Sequence, residues 1–143
     1  MVVVYRLKDN PKFIEQVQRA TRTTKEFGIE PTDGTFGSEE WWNRISAGKL
    51  VVHTLRGEIS KCFMGSMNDW PMFKLVTDTV EETSWTREAN SAEQASLYRE
   101  GCRAEIDYVW QRHRPKSWSK GAEFKQVLEI RVAVPEQREN PRT

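Results

Sequence analysis

The sequence predicts an α+β fold, and three observations carry that prediction. A helical stripe occupies the first quarter of the chain, turn-punctuated β-favouring runs begin near residue 50, and a clean two-residue alternation appears at Arg103–Arg112. Helices early and strands late suggest a strongly bent antiparallel β-sheet or small β-barrel of about five to seven strands. The N-terminal helix is expected to pack on it. An open curved sheet wrapping that helix around a ligand cavity is the structural alternative. A single domain over 1–135 with a polar, disordered tail at 136–143 is the expected organisation.

Taken in order, Val2-Val3-Val4-Tyr5 is β-branched and aromatic and begins a strand of about six residues. Asn10-Pro11 reads as N-cap and first helical position, since Asn accepts an orphan amide bond and Pro has none to lose. Phe13, Val17, Ala20, Thr24 and Phe27 then recur at three- and four-residue steps, and Gly28 stands where a left-handed cap is expected. Lys12, Glu15, Arg19, Arg22 and Lys25 form the solvated opposite face.

Residues 30–37 form a loop by their Pro and Gly content. Ser38 followed by Glu39 and Glu40 starts a second helix that Ala47-Gly48 ends. Adjacent helical residues point about 100° apart, so Trp41, with Ile45 four residues on, takes the core. Trp42 is left to cover a barrel mouth, line a pocket or meet a partner.

An antiparallel meander follows: Leu50–Leu55, Glu58–Met64 and Met72–Thr77, with Arg56-Gly57 as the first connection. In the second, residues 65–71, Trp70 before Pro71 is pushed to an extended conformation. Asn68 and Asp69 fix a turn that presents Met67 and Trp70. Asp78, Glu81, Glu82, Glu88 and Glu93 then make an acidic segment offset by Arg87. It holds a strand over Thr83–Glu88 with Trp85 inward, and a short helix over Ser91–Glu100 closed by Gly101.

In Arg103–Arg112 the residues Ala104, Ile106, Tyr108 and Trp110 share the inner face, opposite Arg103, Glu105, Asp107 and Gln111. The partner strand carries Leu128, Ile130, Val132 and Val134 inward and stops at Pro135.

Net charge is +1 with 30% charged and 37% hydrophobic residues, so there is no global field for a polyanion and any such partner needs a local patch. The apolar runs are far short of the roughly 20 residues that cross a bilayer, and MVVVYRLKDNP is not a secretory signal. No membrane association and a cytoplasmic location are expected. Cys62 and Cys102 lack metal or redox spacing and read as free, small hydrophobes.

Glycine-rich phosphate loops, dinucleotide fingerprints, nucleophile elbows and zinc spacings do not occur. No cofactor, metal or catalytic residue is therefore assigned. The local patch is the 111–125 hairpin, where Arg112, His113, Arg114, Lys116 and Lys120 surround Trp118. Cations for phosphate and a ring for a base are what nucleic-acid contact requires, and the same charges suit an acidic protein. The expected function is a non-enzymatic binding module working through this hairpin, with Trp70 and Trp42 as further contact candidates. One alternative is a homo-oligomer or protein–protein interaction protein, the acidic 78–93 segment docking on the basic loop of another copy. The other is a small hydrolase or ligand cavity near His53, Cys62 and Asp69, with His53 beside Cys62 on adjacent strands.

Overall fold

A computed structural model describes residues 1–24, 28–29, 34–65, 67–113 and 122–134. Its elements are β1 (Val2–Arg6), a 3-10 turn (Leu7–Asp9), α1 (Pro11–Thr23), α2 (Glu39–Ser46), β2 (His53–Gly65), β3 (Trp70–Thr77), β4 (Glu82–Thr86), α3 (Ala92–Ala95), β5 (Arg103–Arg112) and β6 (Glu123–Val132). The strands form one six-stranded antiparallel sheet in the order β1-β6-β5-β2-β3-β4. The sheet is open, with β1 and β4 as its edges, so of the two expected forms the antiparallel sheet is the one found and the closed barrel is corrected. By Cα proximity the chain divides into two compact units. One comprises Met1–Arg6, Thr54–Ile106 and Glu129–Thr143; the other comprises Leu7–His53 and Asp107–Leu128.

In the first unit, β2 pairs with β3 from Gly57↔Thr77 to Gly65↔Trp70, and β3 pairs with β4 from Met72↔Thr86 to Val76↔Glu82. The expected turn at Arg56-Gly57 is instead the interior of β2, which merges two predicted strands into one. Gly57 is there for close approach: a Cβ on it would run into the Val76 carbonyl oxygen of β3. Phe73, Leu75, Ile59, Ile106, Ile130 and Val132 are fully buried, and Trp85 is buried as expected. Tyr98 stacks obliquely on Phe73 at 5.2 Å. The helix expected over Ser91–Glu100 is the shorter α3, capped by the Ser91 hydroxyl, and Gly101 takes φ +91°.

In the second unit, Asn10 accepts the Phe13 N–H and Pro11 opens α1, as the capping signals require. The helix ends at Thr23, short of Phe27, which lies outside the described residues. The hydroxyls of Thr21, Thr23 and Thr24 donate to the carbonyls of Val17, Arg19 and Ala20 at 2.8, 2.7 and 2.8 Å, and Thr24 is extended. Gly28 (φ +102°) is correspondingly not a cap on the last turn: it presses on Thr21, where a Cβ would collide.

Ser38 caps α2 through the Trp41 N–H. Trp41 is fully buried in an edge-to-face chain, 4.9 Å from Phe36 on one side and 4.9 Å from Trp42 on the other. Its indole N–H donates to Gln111 Oε1 at 3.1 Å. Ala104, Ile106 and Tyr108 are buried on the expected inner face of β5, and that bond corrects the face only at its end. Gln111 and Val109 are buried, while Trp110 is 40% exposed. A buried indole N–H needs an acceptor, and Gln111 supplies it where Trp110 has none to offer.

Candidate protein-interaction site

The solvent face of the β2–β3 hairpin is built by register. Phe63 opposes Met72, Lys61 opposes Lys74, and Gly65 opposes Trp70, so these side chains share one face. The ammonium groups of Lys61 and Lys74 lie 5.8 and 6.0 Å from the Phe63 ring centroid. Trp70 is 54% exposed, and its indole N–H donates to Thr86 Oγ1 of β4 at 2.9 Å, which lays the ring toward that strand. Met67, at the tip, is 92% exposed, and Met64 is exposed as well.

Met67 and Asn68 both take positive φ, +60° and +68°. They lie in the four-residue connection between the paired Gly65 and Trp70, in a backbone region that side chains other than glycine and asparagine rarely adopt. A methionine in this region costs about 1 kcal/mol or more, and it holds an apolar side chain out in water. Met67 and Trp70 are both exposed at this turn. Phe63, Met64, Met72 and the two lysines escaped the sequence reading. Their signal was the apolar–basic alternation of KCFM set against PMFK, visible only once the register is known.

The other predicted residues are distributed as follows. Arg112 ends β5 in an exposed ion pair with Glu123, 3.2 Å. The His113 N–H donates to the Ala122 carbonyl at 3.1 Å, and its ring stacks on Phe124 at 4.3 Å. Arg114, Lys116, Trp118 and Lys120 lie outside the described residues. Trp42 is half-buried against Trp41, with Lys8 Nζ 4.9 Å from its ring. Within the same unit, Phe13, Val17, Ala20, Ile29, His113 and Phe124 wall a cavity of about 280 Å³.

Two acids of the 78–93 segment are paired within the chain. Asp78 takes a bidentate bond from Arg103 at 2.8 and 2.9 Å, which lowers its carboxyl below the ordinary value, and Glu82 lies 3.8 Å from Lys74.

The enzyme alternative required His53, Cys62 and Asp69 to converge. His53 opens β2 and Cys62 lies further along that same strand, not on a neighbour, while Asp69 follows in the tip. His53 stacks on Tyr108 at 5.3 Å. Burial pushes the Cys62 thiol up, against the pull of Arg87, so it stays protonated and weakly nucleophilic. Burial also raises Glu88, and it raises Tyr98 further, whose hydroxyl donates to the Glu88 carbonyl at 2.6 Å. Among the described residues no group of three or more His, Cys, Asp or Glu is placed to hold a metal. No helix among them is long and apolar enough to cross a membrane.

A family model described as Immunity protein RhsI2 matches residues 1–133. The chain belongs to the RhsI2 immunity protein family. No curated protein matches it. The match runs through both compact units and every described strand and helix. Membership in the RhsI2 family makes the chain a small protein-binding module, in agreement with the binding function expected from sequence.

Proposed function

We propose that this chain neutralises a protein toxin by binding it directly, without chemistry of its own. The family match across residues 1–133 carries the reading, because an immunity protein acts by engaging its toxin. The exposed Trp70, Met64 and Met67 support it physically. Tryptophan and methionine are enriched where proteins meet, and a few such anchors supply most of the binding energy. The basic 111–125 hairpin is, by itself, a further candidate contact, suited to an acidic toxin surface by complementary charge.

Co-expression with the cognate toxin domain tests this. Growth should be restored, and the purified toxin should gain 16.7 kDa for each bound copy. Unrestored growth together with no mass gain would overturn it. Replacing Arg112, Arg114 and Lys116 by alanine should slow association and flatten its salt dependence while leaving dissociation nearly unchanged.

A further inference from the structure

The two edges of the sheet are both five residues long, yet among the described residues only one is covered. At β1 the Asn90 N–H donates to the Val4 carbonyl at 3.2 Å. The Asn90 carboxamide brackets Arg6, accepting its N–H at 2.7 Å and donating to its carbonyl at 3.1 Å. Gln94 donates to the Val3 carbonyl at 3.2 Å. A register shift between Val3 and Tyr5 further breaks this edge as a template.

At β4 the ladder geometry leaves a row of groups open. The Thr77 N–H donates to the Glu81 carbonyl at 2.8 Å and the Arg87 N–H donates to the Pro71 carbonyl at 3.0 Å. Odd-numbered residues therefore face β3, and the alternation of an antiparallel pair turns the backbone groups of Glu82, Ser84 and Thr86 outward. Only the Thr86 carbonyl finds an acceptor role among the described residues, taking the Glu88 N–H at 2.9 Å. The β3–β4 register has no shift, and β4 carries neither Lys nor Pro. Beside this open row, the Trp70 indole is bonded to Thr86 and stays half in water.

We infer that β4 is the docking edge for an extended segment of the toxin, whose main chain adds to the sheet as a seventh strand. Outward N–H and C=O groups recognise extended backbone, and the flanking side chains set which sequence fits. An apolar or aromatic toxin residue opposite Thr86 stacks on Trp70, and a basic one is favoured opposite Glu82. This assignment rests on the toxin-binding reading and specifies its surface and mode.

Amide hydrogen exchange on the chain alone and in complex with the cognate toxin domain tests it. The Ser84 and Thr86 amides should exchange freely alone and gain at least tenfold protection in the complex, with Arg6 unchanged. Ser84→Pro deletes an outward N–H at a position where an edge strand tolerates proline, and should weaken the complex at least tenfold; Trp70→Ala should do the same. A complex that forms at full affinity with both variants and leaves the Ser84 amide unprotected overturns the edge assignment while the toxin-binding function stands. Absence of any complex with the unaltered chain overturns both. Protection of Ser84 in the chain alone, with a mass that doubles on concentration, assigns the edge to a second copy and also overturns it.

Discussion

β1 and β4 are equally short, both end the same sheet, and both pack apolar side chains into the same unit, yet their outer backbones meet different fates. Along β1, side chains and backbone from Asn90 and Gln94 take the groups of Val3, Val4 and Arg6. Along β4 nothing among the described residues takes those of Ser84. Strand length alone therefore does not protect an edge in this molecule. Protection comes from a carboxamide that can donate and accept at once, brought to the edge by the segment before α3. Among the described residues β4 has no such segment beside it, and its exposed flank offers Trp70 in its place.

The contrast can be broken most drastically at Trp85, the one buried residue of β4. Trp85→Ala should cost about 3–5 kcal/mol in urea denaturation, releasing β4 from β3 and removing the open edge altogether. Asn90→Ala should cost about 1–2 kcal/mol, since it strips both side-chain bonds from Arg6. It should also make β1 behave as β4 does, with fast exchange at the Arg6 amide.

Glu88, between β4 and the segment that covers β1, gives a pH-dependent handle. Burial raises its folded-state value above the ordinary 4.5. The stability this contributes is fully present below that ordinary value and is lost as pH rises through the raised one. Glu88→Gln should therefore gain stability relative to the parent as pH increases, with the difference vanishing in acid. Thermal melts across pH 3–8 measure it. The smallest effect belongs to Ser84→Pro in the free chain, within about 0.5 kcal/mol of the parent, because the deleted N–H faces water.

Much of the fold was legible because its signals are local. Asn10, Ser38 and Ser91 cap helices through amides three residues on, and all three were readable as written. Trp41 over Trp42 followed from helical period alone. The site was legible in part: Trp70 and Met67 were singled out from turn chemistry, whereas the face that Phe63, Met72, Lys61 and Lys74 share depends on the β2–β3 register. The helix end at Thr23 was missed because the stripe continues past the threonines that terminate it. Gly57 was misread because a glycine that makes a turn and one that admits a neighbouring backbone are the same letter.

By itself the sequence determined the α+β class, the caps, five of the six strands as single runs, and Trp41 as core. These rest on forces between residues a few positions apart, which the chain spells out directly. Tertiary structure alone decided that Gln111 is buried and Trp110 is not, through an indole partner 70 residues away. It alone decided that β1 is closed, through a carboxamide 84 residues from Arg6, and that β4 is left open by the described residues. A backbone group's need for a partner is the same everywhere along the chain, but which group remains unmet is settled only when distant segments arrive.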